Sequence, residues 1–297
     1  MTKISILHLI TAAKNASPFD VNMAFDAGYE NIMPYIGVTL NEVVGLTQDA
    51  IFSRSPSGIK QEALFFGGRD IHLALDMQKE ARSAMFKPFE ISTFSDPSGA
   101  FTTAAAMVAK VEAHLRLTQQ NLGQQTIAIF GASGTVGSTA ALIAARQGAK
   151  VKMMAHSDLA SMQSYVDIMQ ERYDVQLEVV DGRSDTNKID VLQQATVALC
   201  AAPAGVRVLT LNHFAQSQSL QVVADVNAVP PSGIEGVDVM ANGVKVGDSQ
   251  IVGFGALAVG RLKYVTQHEL LKSMLASDVP MHIDYHHAYD YACTHAK

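Results

Sequence analysis

Three glycines spaced three apart, Gly131, Gly134 and Gly137, open the stretch GASGTVGSTAALIAARQGAKVKMMAHSD (131–158). They follow the apolar run QTIAIF and precede a helical pattern and then a second apolar run, KVKMMA, ending at Ala155. A strand that runs straight into glycines and then a helix has a physical use. Glycine tightens the turn, removes side chains that would block a pyrophosphate, and lets the helix pack closely on the strand. The helix N-terminus then offers unpaired N–H groups and partial positive charge to phosphates. Ala132 stands where the stricter G-x-G-x-x-G has its first glycine, so the spacing is G-x-x-G-x-x-G. With Ser133, Thr135 and Val136 between the glycines, the segment reads as a nucleotide cradle, a purely structural strand–turn–helix being the alternative.

At the end of the second run, a site selective for NAD carries Asp or Glu against both ribose hydroxyls. His156 and Ser157 stand there instead. Neither repels a 2′-phosphate as a carboxylate would, and neither clamps one as an arginine does. Asp158, one residue later, suits a helix N-cap. The ribose end therefore reads as permissive, open to NAD or NADP.

Further along, AAPAG (201–205) follows another apolar run, so Ala201, Ala202 and Pro203 are expected to pass close to the coenzyme. In LQVVADVNAVPP the strand ends at Asn227, before Pro230 and Pro231 fix an extended turn. Asn227 either hydrogen-bonds the nicotinamide carboxamide or shapes the turn. His282, His286, His287 and Asp284 in HIDYHHAYD lack a surrounding catalytic motif, and no metal site is assigned to them. The two cysteines, Cys200 and Cys293, lack metal or redox spacing and read as reduced thiols of a cytoplasmic protein. None of the eight tyrosines is followed four residues later by lysine. That pairing serves short-chain dehydrogenases, and a similar pair serves the bifunctional folate dehydrogenase/cyclohydrolases. Its absence argues against both chemistries.

Elements of two domains must hold these residues in place. KISILHLI, NIMPYIG, EALFFGG and FEISTFSD read as strands, alternating with helices that start at Pro18, at the TLNE capping box (39–42) and at Asp70. A helix from Ala100 to Leu117 leads into the polar TQQNLGQQ, where a domain boundary is expected. QTIAIF, KVKMMA, LEVV, TVALCAA and LQVVADV supply strands of the second part, and the chain reads as helical from about Gly255. The pattern is α/β, with parallel sheets covered by helices. Residues 1–118, completed by 259–297, form one domain, and 119–258 form a Rossmann-like one.

The 297 residues are 48% hydrophobic and only 17% charged, with a net charge of −6. That balance argues against a nucleic-acid partner, and the low charged fraction hints at surface covered by other copies of the chain. No apolar stretch reaches the ~20 residues of a membrane span. The N-terminal run Ile4–Ile10 is short and contains His8, so it reads as a first strand rather than a signal peptide.

SPFDVNMAFDAGYENIMPYIGVTLNEVVGLTQDAIFSR (17–54), ALFFGG (63–68), FSDPSGAFTTAAAMVA (94–109), ADVNAVPPSGIEGVD (224–238) and GFGALAVGRLKY (253–264) together resemble one family. It is the NAD(P)-dependent methylene-tetrahydromethanopterin dehydrogenases of bacterial one-carbon metabolism, especially the form accepting both coenzymes. The resemblance implies an N-terminal α/β pterin-binding domain and a Rossmann-like NAD(P)-binding domain. It also implies a homo-oligomer, trimer or hexamer, and a tetrahydromethanopterin-type carrier as substrate. In the implied reaction a hydride leaves the one-carbon bridge and the methenyl cation is stabilised by its flanking nitrogens. No proton is removed, so no general base is required.

The resemblance directs attention to polar residues at the strand ends of the first domain. Asp20 follows the first strand, and Asp96, Ser98, Thr102 and Thr103 follow the fourth, at the sheet edge where ligands sit. An acidic group there suits the amino-pyrimidine edge of a pterin, while helix capping is the competing role for Asp20 and Asp96. Lys263, beyond GFGALAVG, either orients substrate or is a solvated lysine. Two other functions remain open on the sequence: the corresponding methylene-tetrahydrofolate dehydrogenase, and a non-catalytic NADP-sensing protein on the same cradle.

Overall fold

A computed structural model describes residues 4–296. The chain opens with β1 (Ile6–Ile10), α1 (Pro18–Asp26), β2 (Asn31–Tyr35), α2 (Val43–Phe52), β3 (Glu62–Phe66), α3 (Ile71–Ser83) and β4 (Ser92–Ser95). A long helix, α4 (Ala100–Leu117), leads to β5 (Thr126–Phe130), α5 (Thr135–Arg146), β6 (Lys150–Ala155), α6 (Leu159–Tyr173) and β7 (Leu177–Asp181). Then come α7 (Asp185–Leu192), β8 (Val197–Cys200), the short α8 (Leu211–Phe214) and β9 (Val222–Asp225). The chain closes with β10 (Asn242–Lys245), β11 (Val252–Phe254), α9 (Ala256–Ala276), β12 (His282–Ile283) and α10 (Tyr285–His295).

The chain forms two compact units. One runs to Thr102 and regains Tyr264–Ala288; the other comprises Thr103–Lys263 and the residues from Tyr289 on. The polar stretch 118–125 belongs to the second unit.

In the first unit the sheet order is β12-β4-β3-β1-β2, parallel throughout. Its central strand β3 is buried along its whole length, as expected of a parallel strand covered on both faces. On one face Ile10, Leu64 and Phe66 pack with Val43 and Ile51 of α2 and Met77 of α3. Phe65 meets Phe94 edge-to-face at 5.4 Å. Capping starts the helices where the sequence indicates. The Ser17 hydroxyl accepts the Asp20 N–H ahead of Pro18-led α1, and Asp70 accepts the His72 and Leu73 N–H groups at the head of α3. The Thr39–Glu42 capping box forms too, though its first turn is a 3₁₀ turn, Leu40–Glu42.

The second sheet has the order β10-β11-β9-β8-β5-β6-β7, parallel except between β10 and β11. From β5 the chain winds outward through β6 to β7, then returns to β8 on the other side of β5. The order therefore reverses between β5 and β8, and the carboxyl ends of those two strands form the crevice where doubly wound sheets bind ligands.

Two departures from the sequence reading concern short strands. β10 and β11 form an antiparallel pair that apolar alternation did not announce, because Asn242–Lys245 is exposed throughout. The C-terminal part is not wholly helical: His282 and Ile283 pair with Thr93 and Phe94 and extend the first sheet. Among the described residues, no helix is long and apolar enough to cross a membrane.

Candidate functional site

β5 ends at Phe130 and the chain turns through Gly131, whose φ is +72°. A Cβ on Gly131 would collide with the Ala201 carbonyl and lie 2.7 Å from the Ala202 nitrogen. One on Gly137 would collide with the Gly131 carbonyl. Both glycines are thus required by the close packing of the turn against the loop after β8. Gly134 differs: its φ of −74° and ψ of 160° suit any residue, and a Cβ there would meet the Gly131 oxygen at 3.3 Å and the Ala201 oxygen at 3.9 Å. It is the N-cap of α5, and Ser133 and Gly134 are exposed. The first N–H groups of α5, from Thr135, Val136 and Gly137, precede the first intrahelical donor, Ser138, which bonds the Gly134 carbonyl at 2.9 Å. These donors have no acceptor within the helix, and the turn beside them is exposed at Ser133 and Gly134, an arrangement that suits a pyrophosphate.

Beyond β6, the side chains of Ser133, His156, Ser157, Asp158 and Tyr165 line a cavity of about 210 Å³. His156 and Ser157 are exposed. Asp158 caps α6, accepting the Ala160 and Ser161 N–H groups at 3.3 and 2.9 Å and the Ser161 hydroxyl at 2.5 Å. These hydrogen bonds, with the charge of Arg183, hold its carboxyl below the ordinary value. Arg183 itself comes from the turn after β7. Its Nε and Nη2 donate to the two Asp181 carboxylate oxygens at 2.9 and 2.7 Å. Neither residue was singled out from the sequence, because only the pairing of β6 with β7 sets them beside the 155–158 turn.

Asn227 is committed to its own turn. Its Oδ1 accepts the Gly205 and Val229 N–H groups at 3.2 and 3.0 Å, and its Nδ2 donates to the Pro231 carbonyl at 3.2 Å. It ties the loop holding Ala201, Ala202 and Pro203 to the loop after β9. Asp225 anchors the same corner, accepting the Asn227 and Ile234 N–H groups at 3.0 and 3.1 Å. Burial raises its pKa.

In the first unit the strand order reverses between β1 and β3, and a cavity of about 540 Å³ lies at the carboxyl ends of those strands. It is lined by Ala13, Asn15, Ala16, Ser17 and Pro18 after β1, Gly68 and Arg69 after β3, and Ser98 after β4. Ser98, in the left-handed region at φ 55°, donates its hydroxyl to the Gly68 carbonyl at 2.7 Å and so closes one side. Asp20 is almost fully buried on α1 and accepts from Gln267 Nε2 at 3.0 Å. Gln267, fully buried on α9, was missed in the sequence because 247 residues separate the two. Asp96 and Thr102 are wholly buried and bonded to each other, Thr102 Oγ1 donating to Asp96 Oδ2 at 2.6 Å. Of the polar residues singled out in this unit, Ser98 lines the cavity, while Asp20, Asp96 and Thr102 are buried and outside its lining. Thr103 on α4 and Lys263 on α9 belong to the second unit, half-buried and buried respectively. Among the described residues, no group of His, Cys, Asp and Glu is arranged to hold a metal ion; His287 Nδ1 instead pairs with Asp284 at 3.0 Å.

Comparison with known proteins bears on both units. A family model described as methylene-tetrahydromethanopterin dehydrogenase, N-terminal, matches residues 18–98. Among solved structures, aspartate transcarbamoylase from Trypanosoma cruzi covers 90% of this chain and 83% of its own, with a TM-score of 0.50 at 11% identity, a likeness of fold alone. The Bifunctional protein MdtA of Methylorubrum extorquens is 29% identical over 83% of this chain and 84% of its own length. The NAD(P)-dependent methylenetetrahydromethanopterin dehydrogenase of the same organism is 43% identical over 289 residues, 97% of each chain. Identity of that extent spans the cradle, the 155–158 turn and the first-unit cavity alike, and on it the chain belongs to the NAD(P)-dependent methylenetetrahydromethanopterin dehydrogenase family.

Proposed function

We propose that this chain oxidises methylene-tetrahydromethanopterin to its methenyl form, passing a hydride to NAD or NADP, as a step of one-carbon (formaldehyde) oxidation. The observation that carries the reading is 43% identity over 97% of both chains with a dehydrogenase of that activity. The cradle supports it independently, because Gly131 and Gly137 are forced by packing while Gly134 keeps the helix N-terminus open.

The second unit is the coenzyme unit. Ser133 and the N–H groups of Thr135, Val136 and Gly137 would hold the pyrophosphate; His156 and Ser157 would face the adenosine ribose. Ala201, Ala202 and Pro203 would close around the nicotinamide half, held in place by Asn227. Bound there, the coenzyme supplies the hydride acceptor. The first unit is the substrate unit, with Asp20 and Ser98 at its ligand edge and Asp96 and Thr102 fixing the backbone that carries Ser98. Thr103 and Lys263 are proposed substrate contacts of the other unit.

The reaction breaks one C–H bond of the methylene bridge. Its electron pair leaves with the hydrogen, and the remaining cation is shared by the two flanking nitrogens. No side chain has to accept a proton, and no step calls for a metal. The protein contributes alignment and exclusion of water, effects that together supply several kcal/mol of barrier lowering, up to ~7–11 in well-oriented systems. We further propose a cytoplasmic homo-oligomer, trimer or hexamer, without nucleic-acid or membrane partners.

The test is the appearance of reduced-nicotinamide absorbance on mixing purified protein with methylene-tetrahydromethanopterin and either NAD or NADP. Reduction of both coenzymes is expected. Reduction only with methylene-tetrahydrofolate would shift the reading to the folate enzyme, and none with either carrier would overturn it.

A further inference from the structure

β6 and β7 run parallel with Ala155 opposite Asp181, and the Gly182 N–H donates to the Ala155 carbonyl at 2.8 Å. The turns that follow the two strands are thereby pinned side by side. One carries His156, Ser157 and Asp158 of the ribose cavity; the other carries Arg183, exposed and held by both Asp181 oxygens. His156 and Ser157 bring neither arginine nor lysine to the ribose end, and Asp158, which also lines the cavity, is a carboxylate. A positive charge is nevertheless present beside it, 26 residues further along the chain.

We propose that Arg183 reads the 2′-phosphate of NADP, and that Asp181 holds its guanidinium when the ribose carries no phosphate. The inference rests on the coenzyme reading given above. A planar guanidinium fork matches a phosphate as well as a carboxylate, so the partner exchange preserves the bidentate geometry. The existing pair is solvent-exposed, with 52% of the Arg183 side chain accessible, and such pairs contribute little because water screens them. Releasing Asp181 is therefore a small cost against contact with a phosphate of higher charge. Asp158 attracts the guanidinium electrostatically, but its oxygens make their hydrogen bonds to the N–H groups of Ala160 and Ser161 and to the Ser161 hydroxyl, so the bidentate partner of Arg183 is Asp181. With NAD bound, the Asp181–Arg183 pair is neutral as a unit and leaves the ribose hydroxyls to Ser157. One site thus admits both coenzymes: the arginine changes partner while the cavity stays as it is.

The experiment uses 2′,5′-ADP and 5′-AMP as probes, titrated calorimetrically into the intact protein, Arg183→Gln and Asp181→Asn. Neither probe carries the nicotinamide, so turnover plays no part. Arg183→Gln is expected to weaken 2′,5′-ADP about 10- to 50-fold, the size of a lost charge-assisted contact, and 5′-AMP less than twofold. Asp181→Asn, which frees the guanidinium, is expected to tighten 2′,5′-ADP severalfold without changing 5′-AMP. Loss of both probes in equal measure, or of neither, overturns the inference while leaving the coenzyme reading intact. If the unaltered protein binds neither probe, the coenzyme reading fails and the inference falls with it.

Discussion

Thr102 and Asp96 are bonded to each other twice in the interior: the Thr102 hydroxyl donates to Asp96 Oδ2 at 2.6 Å and its N–H to Oδ1 at 3.2 Å. The Phe101 N–H also reaches Oδ1, at 2.8 Å. Asp96 thus ends β4 and satisfies the amides that open α4, across the left-handed turn at Ser98. Of the two roles the sequence left open for it, capping is the one its hydrogen bonds display. A buried carboxylate serving three donors is costly to remove: Asp96→Ala is expected to lower stability by about 2–4 kcal/mol, read as a shift in the denaturant midpoint. Unaltered stability with lost turnover would instead mark Asp96 as a group that touches substrate.

Asp20 differs in its place: it accepts from the Gln267 amide, and the cavity wall of Ser17 and Pro18 lies just ahead of it on the chain. Asp20→Asn keeps the shape and removes the charge. Turnover should fall at least about tenfold, while coenzyme affinity, measured by calorimetry, stays within about twofold. Equal loss in both measurements would place Asp20 in a general packing role. The fold-change corresponds to roughly 1.4 kcal/mol of transition-state interaction.

How much of this was legible depended on distance along the chain. The cradle was, because strand, glycines and helix follow one another within residues 126–146 and each local preference agrees with the others. Asp70 and Asp158 were legible as caps for the same reason: a cap and the N–H groups it serves lie within three residues. Gln267 and Arg183 were not. Their significance comes from what tertiary folding sets beside them, Asp20 on α1 for one and the 155–158 turn, through the β6–β7 register, for the other. β10, β11 and β12 escaped notice because two to four residues carry too few alternations to set a period. Asn227 was placed correctly at a strand end, yet which atoms its amide serves depends on the 205 loop, 22 residues away.

The two thiols give a prediction without any substrate. Burial, with the Asp225 carboxylate beside it, pushes Cys200 up to about 12. Burial and Glu112 push Cys293 to about 12 as well. Because thiolate is the reactive form, neither should react with a disulfide reagent such as Ellman's at pH 8 in the folded protein, and both should react within minutes once it is unfolded. Rapid stoichiometric labelling of the native protein would contradict this.

Acid should weaken the attachment of β12. Burial first, then the charges of Arg82 and His287, lower the His282 pKa from 6.5 to about 4, so the fold favours the neutral ring. Between those values the unfolded chain takes up a proton that the folded chain refuses. The contribution is therefore complete above about pH 6.5 and is lost as pH falls toward 4. With allowance for the partial exposure of the ring it amounts to roughly 1–2 kcal/mol. His282→Gln should flatten the dependence of Tm on pH between 7 and 4.5; an unchanged slope would assign the acid sensitivity to other groups.

The cradle offers a separation of folding from binding that a generic glycine-rich loop would not. A methyl at Gly131 or Gly137 meets main-chain atoms that cannot step aside, and Gly131 also needs its positive φ. Gly137→Ala should therefore lower stability by about 2–4 kcal/mol, an overpacking effect, and any loss of coenzyme binding should follow from that damage. Gly134 has ordinary dihedral angles and a nearest neighbour at 3.3 Å, so Gly134→Val should leave the denaturant midpoint within about 0.5–1 kcal/mol of the original. Its side chain would nevertheless project over the first amides of α5, where the pyrophosphate common to NAD and NADP is held. Affinity for both coenzymes should fall together, by about tenfold or more, leaving their ratio unchanged. The paired measurement is denaturation and calorimetric binding on Gly134→Val and Gly137→Ala. A Gly134 variant that binds normally, or one that favours either coenzyme, would show that the phosphates do not cross this turn.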